Sequence, residues 1–348
     1  MRSILTVFVL AIGMGMGRSD SVYVASFFQG TVEKFSSNGV GTPFVSNLNA
    51  PEQITFDSAG NLYVANYGNN TVIRYTTNGS GSVFATVAGG PNGLAFDSRS
   101  NLYVATFDGG TIEKYSAAGV HLSTLATGLS HPIGLVFDRA DNLYVSMYDN
   151  VILRYTTNGT GSVFAGGLNR PIGMAFDAQT NLYVANFGGA SITKLRSDGA
   201  FLGVLPTTGL SGPYFVGFDS STNLYVANFT NGTVQKITAA GVESTFATMS
   251  SAAGLAVWPG LSWSTNSVTV SNAPPFGFSL KRTAPGQMTL RFFGSTNTTF
   301  TVVAATNMSL PRTNWTVLGT ATLQSSNLFQ FIDTHATNVA RFYTVRSP

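Results

Sequence analysis

Cysteine is absent from the 348 residues, so neither a disulfide nor a thiolate metal site contributes to the fold. Charge is also scarce: 9% of the residues are charged, 18 basic against 15 acidic, for a formal net charge of +3. So small and scattered an excess excludes the dense basic patch that nucleic-acid binding requires. The three histidines are not spaced as a zinc-ligating pair, and no Gly-x-Ser-x-Gly elbow occurs. No apolar run approaches the roughly 20 residues of a membrane span. The nearest, Ile4 to Ile12, follows Arg2 and leads to the small residues Gly15 and Gly17. Residues 1–17 therefore read as a signal peptide, and the chain is expected to be secreted or periplasmic, with no integral membrane segment after its removal.

What is present is apolar, glycine-rich and periodic. Apolar residues make 44% of the chain and glycine numbers 38. The segment Asn-Leu-Tyr-Val begins at Asn61, Asn101, Asn142, Asn181 and Asn223, in steps of 40, 41, 39 and 42 residues, and a degenerate copy starts at Ser21. Each unit is rich in Val, Tyr, Phe and Thr, is punctuated by Gly and Asn, and lacks a helical stripe. A period near forty built from such residues predicts four-stranded propeller blades. Apolar residues on both alternating faces of Asn101–Phe107 predict a strand sandwiched between layers. Five inner strands end at Asp57, Asp97, Asp138, Asp177 and Asp219, whereas Gly254–Val257 lacks a following second strand and Ser21–Ala25 lacks a preceding inner one. The two ends together predict a sixth, composite blade, which removes open sheet edges. The expected fold is all-β: a signal peptide over 1–17, a six-bladed β-propeller over 18–259, and a small β-sandwich over 260–348. Five strand-like runs between Met288 and Val345 support the last.

The pattern Pro-x-Gly-apolar-Ala-Phe-Asp, Asn-Leu-Tyr-Val-Ala-Asn and Ile-x-Lys-Tyr resembles NHL-repeat propellers over residues 20 to 258. It departs from them in carrying Asn66, Asn186 and Asn228 where such repeats usually have Asp. Phe300–Asn307, Asn314–Gly319, Phe331–Asp333 and Arg341–Val345 resemble a C-terminal module of secreted proteins of Verrucomicrobia-like bacteria. The resemblance implies a rigid disc with a binding face, and it includes both binding domains and enzymes.

Residues repeated in every blade are read as structural. The Asp that closes each inner strand serves its turn. The aromatics Phe27, Tyr67, Phe107, Tyr148, Phe187 and Phe229 are expected to pack between blades. The cations Lys34, Arg74, Lys114, Arg154, Lys194 and Lys236 are expected to lay their stems between blades with their heads in water. Functional residues should instead break the symmetry, in the loops that enter the inner strands: Glu52, Asn92, His131, Arg170 and Tyr214 at one channel mouth.

Two functions are open. The first expectation is a non-catalytic recognition protein, without a cofactor, that binds a polypeptide or glycan at this mouth. The alternative follows from resemblance to the senescence-marker and gluconolactonase propellers, which implies that Glu52 and Asn92 stand at two positions of a divalent-cation site. That would make a Ca²⁺-dependent lactonase- or esterase-like hydrolase, and it requires a further carboxylate beside Glu52, because a hard cation takes six or more oxygens.

Overall fold

The computed structural model describes residues 20–258 without a break and, beyond them, eight strands. The expected signal peptide lies outside the described residues. Asp20–Pro259 form one compact unit of six four-stranded antiparallel sheets. In the first blade these are Pro51–Phe56, Leu62–Asn66, Thr71–Tyr75 and Gly81–Thr86, from the axis outward. Four more blades follow in chain order, with inner strands Pro91–Phe96, Pro132–Phe137, Pro171–Phe176 and Pro213–Phe218. The sixth is composite: Ala252–Trp258 pairs antiparallel with Ser21–Ser26, aligning Val22 with Val257 and Val24 with Leu255.

The repeated tetrapeptide explains how the blades stack. In Leu62–Asn66 every residue is buried, because side chains alternate and both faces meet a neighbour. Tyr63 and Ala65 face Leu94, Leu102 and Val104 of the next blade. The same Tyr/Ala face against a Leu/Val face recurs from Tyr23 and Ala25 with Ile54, Leu62 and Val64, round to Tyr225 and Ala227 with Val22 and Val24. Each tyrosine also meets phenylalanine edges, Tyr63 with Phe84 at 5.0 Å and Phe96 at 4.9 Å.

The other repeated groups join in one network. Asp57 Oδ1 accepts from the Ala59 and Asn61 backbone amides, and its Oδ2 from the Asn61 amide and the Tyr63 hydroxyl. Asp138 repeats all four bonds with Ala140, Asn142 and Tyr144. The six cations do not simply reach into water. Lys34, Lys114, Lys194 and Lys236 cap tyrosine rings at 4.9 to 5.6 Å, and Lys114 and Lys194 also pair with Asp97 and Asp177. These local contacts account for the repetition of the four lysines.

Residues 260–348 belong to a second unit. Its described strands form a five-stranded antiparallel sheet, from Val268–Thr269, Phe278–Ala284, Gln287–Phe293, Leu328–Asp333 and Thr322–Ser325, and a three-stranded sheet, from Thr316–Thr320, Thr301–Ala305 and Phe342–Arg346.

Candidate functional site

The mouth is built by one backbone device used six times. Just before each inner strand a residue takes a left-handed φ: Ala50, Gly90, His131, Arg170, Gly212 and Ser251, all between 46° and 70°. Only two are glycine, so four positions hold a conformation that side chains usually avoid. The kinked residue is exposed at His131 and Arg170 and buried at Gly90, Gly212 and Ser251, and the strand it opens points its second residue at the axis. The carbonyl of the kinked residue accepts the backbone amide of the aromatic that follows the second strand: Phe27 to Ser251, Tyr67 to Ala50, Phe107 to Gly90, Tyr148 to His131, Phe187 to Arg170 and Phe229 to Gly212, at 2.9 to 3.2 Å. Asn66, Asn186 and Asn228, the departures from the NHL pattern, are buried and accept the backbone amides of Asn49, Asn169 and Ser211. Asn supplies the same acceptor oxygen as Asp without a buried charge.

This bond places the six aromatics around the mouth. The rings do meet those of neighbouring blades, as expected, but at the mouth and not on the strand face: each sits one residue past the second strand, half-buried in five cases, and Tyr148 is 38% exposed. The rings touch along the rim, Tyr67 with Phe107 at 6.5 Å, Phe107 with Tyr148 at 6.2 Å, Phe187 with Phe229 at 6.3 Å and Phe229 with Phe27 at 5.9 Å. Phe28, absent from the candidates, joins this collar against Phe229 and is 73% exposed. The signal in the sequence was the position of these rings, beyond the last residue paired to the third strand and one to three residues before a Gly or Asn.

The five candidate residues share this face but lie at two levels. His131 and Arg170 occupy the kinked position and are exposed on the rim, the His131 ring 4.6 Å from Phe107 and the Arg170 guanidinium 5.1 Å from Tyr148. Glu52, Asn92 and Tyr214 are the second residues of their inner strands, where the other blades carry Ile133, Ile172 and Ala253. Glu52 is thus no solvated loop charge; it is 4% exposed and Asn92 3%. Tyr214 reaches past the buried Ala253 of the composite blade to donate its hydroxyl to Glu52 Oε1 at 3.3 Å, and the Asn92 side chain lies near the same hydroxyl.

One layer below, the ring reads Gln53, Gly93, Gly134, Gly173, Phe215 and Gly254. The glycines are required by crowding at the axis: a Cβ on Gly134 would lie 2.1 Å from the Ile172 carbonyl oxygen. Gln53 spans this space, accepting the Leu94 and Leu135 amides at 3.0 and 3.3 Å and donating to the Leu135 carbonyl. Phe215 packs with Ile133 and Ile172 beside it. The mouth is therefore a well with a floor, and a separate cavity of about 470 Å³ opens at the opposite end, lined by Phe56, Phe96, Phe137, Phe218 and Trp258.

Burial pushes the Glu52 carboxyl up to about 8, and the bond from Tyr214 offsets this only in part. Burial and the nearby Glu52 charge push the Tyr214 hydroxyl far above its ordinary value. Burial and the bond to Asp108 push Tyr67 up to about 12. This donor set does not fit the Ca²⁺ site of the alternative expectation. Among the described residues no three His, Asp or Glu side chains come together, so the further carboxylates that a hard cation needs beside Glu52 are not gathered there.

No family model and no curated protein matches the chain. Among solved structures, a chain of the nidogen/laminin complex is similar over 69% of this chain and 98% of that one, at 21% identity and TM-score 0.62. A streptogramin B lyase is similar over 71% and 87%, at 14% identity and TM-score 0.54. The virginiamycin B lyase of Staphylococcus aureus is similar over 99% of both chains, at 11% identity and TM-score 0.53. At such identities the likeness is one of fold, a six-bladed propeller shared by binding proteins and enzymes. Among the described residues no helix is long and apolar enough to cross a membrane.

Proposed function

We propose that this chain is an exported, non-catalytic recognition protein whose propeller mouth binds a polypeptide. The collar carries the reading. One aromatic per blade is held by the same backbone bond around a well that symmetry-breaking residues floor and wall. Aromatic rings give large contact area at small entropic cost and dominate protein-binding hot spots. Four of the six rings are Phe, and the rings meet mostly edge to face. That leaves few flat faces and few polar tips for a sugar, whereas apolar peptide side chains need neither. His131, Arg170, Asp108 and Asp149 surround the rings and supply the polar rim usual in protein interfaces. The likeness to a chain from a protein–protein complex agrees with this reading. Export is supported by residues 1–17, and the C-terminal unit, read as a sandwich, would add a second contact.

The test is selection from a random peptide library on the purified full chain, with a glycan array and a lactone and aryl-ester screen with Ca²⁺ in parallel. Selected peptides should bind Phe229→Ala and Tyr148→Ala at least tenfold more weakly than wild type, with melting temperature nearly unchanged. Binding to glycans alone, unchanged binding by both variants, or turnover in the ester screen overturns the proposal.

A further inference from the structure

Beneath the collar two buried oxygens have no donor: Glu52 Oε2 and Asn92 Oδ1. Both side chains converge on the Tyr214 hydroxyl, so the bare acceptors belong to one polar corner of the well. The remaining wall, Ile133, Ile172 and Ala253, offers no side-chain donor. Once Glu52 is ionised both oxygens are acceptors left unpaired in an apolar wall, which makes the ionised corner complementary to a group that only donates.

We propose that this corner receives a primary ammonium group of the bound polypeptide, from a lysine side chain or an amino terminus, which donates to Glu52 Oε2 and Asn92 Oδ1 together. The inference rests on the polypeptide reading and refines it. A hydroxyl has one proton and cannot serve both oxygens. A guanidinium seeks both oxygens of one carboxylate in a fork, and here Tyr214 holds Oε1. An ammonium has three donors at the tip of a narrow stem. The Tyr214 ring, half-buried and stacked on Phe229 at 5.2 Å, covers the corner, and its 3.3 Å bond to Glu52 is long enough to yield. Phe187 meets the Tyr214 ring edge-on at 5.9 Å, so the approach to the corner is walled by aromatic rings.

The charged and titratable groups nearby allow this. Tyr67, from the first blade, donates to Asp108 Oδ2 at 2.8 Å, adding a negative charge on the Glu52 side. His131 and Arg170 stand on the third and fourth blades, across the ring from Glu52, and Arg170 is engaged by the Tyr148 ring. Asp149, on the loop of the third blade, is exposed. At neutral pH the free carboxyl carries a proton, and the ammonium pairs with the carboxylate. Binding therefore releases that proton to solvent, with no other bond made or broken.

The experiment titrates the full chain, by chemical shift and by calorimetry in buffers of different ionisation enthalpy, with three capped peptides. One contains lysine and has an acetylated amino terminus, the second replaces lysine with norleucine, and the third has a free amino terminus and no lysine. Whichever ammonium source is the right one should bind at least tenfold more tightly than the norleucine peptide. Its affinity should rise about 50-fold from pH 6 to pH 8 for a lysine, the change in ionised Glu52 for a carboxyl at about 8, and about 20-fold for an amino terminus, which itself begins to lose its proton in this range. Nearly one proton should be released at pH 7, and Glu52→Gln should abolish both the proton release and the pH dependence. Equal binding of all three peptides, tight binding without proton release, or no binding of either ammonium peptide at millimolar concentration overturns the inference. Library peptides that need the collar but no ammonium would sink this inference alone. Ammonium binding with proton release, in the absence of any selected peptide, would sink the polypeptide reading alone.

Discussion

Replacing Glu52 by Gln should make the propeller more stable at pH 7 and above, and leave it nearly unchanged at pH 4. The unfolded carboxyl loses its proton near 4.5, whereas the folded one keeps it up to about 8. Between those values the folded state binds more protons, so stability present below pH 4.5 is lost as pH rises through the window. At about 1.4 kcal/mol for each pH unit, the wild type gives up about 3 kcal/mol by pH 7 and about 5 kcal/mol by pH 9. Gln keeps the shape and the acceptor for Tyr214 and has no proton to lose. For a domain of this size about 3 kcal/mol corresponds to roughly 6 to 12 °C. Scanning calorimetry of both proteins from pH 4 to 9 reads the difference, in which every other titrating group cancels. Melting curves that stay parallel across this range would refute the reasoning, since they would mean that Glu52 is charged and solvated in the folded state.

Asp138→Ala removes an acceptor that receives four hydrogen bonds at one turn, and should cost about 3 kcal/mol in chemical denaturation, with Asp138→Asn costing less. Gly134→Ala places a Cβ 2.1 Å from the Ile172 carbonyl oxygen, where only backbone movement relieves the clash, so its melting temperature should fall well below that of a surface glycine variant such as Gly166→Ala. Deleting residues 253–258 strips the inner strand from Ser21–Ser26 and exposes two buried faces, and size-exclusion chromatography should show aggregates in place of a monodisperse propeller unit.

Much of the fold could be read from spacing because a propeller repeats one local solution. Asn-Leu-Tyr-Val at five starts sets the second strands, and its doubly apolar alternation requires a blade on either side. The reciprocal gaps at Ser21 and Val257 were enough to infer the composite blade, since each strand lacked the partner the other supplied. The mouth was legible only in part. Glu52, Asn92 and Tyr214 broke the repeat at one register and converge in the well, whereas His131 and Arg170 broke it one residue earlier and stand on the rim. The aromatics were misplaced because their spacing is equally compatible with a strand face. Their location follows from the amide bond to the kinked residue, a contact between loops about seventeen residues apart in each full blade.

The sequence by itself determined the architecture: a short-range pattern, repeated, leaves closure as the way to cover both faces of every sheet. It also determined that one mouth differs from blade to blade. Only the tertiary structure decided what that mouth is. Tyr214 and Glu52 lie 162 residues apart and meet because the intervening composite blade carries a small Ala253, and Gln53 closes the floor because the four glycines of its ring leave room at the axis. Burial of a carboxyl, and hence its proton at neutral pH, depends on which side chains converge at the axis, and no local pattern encodes that convergence.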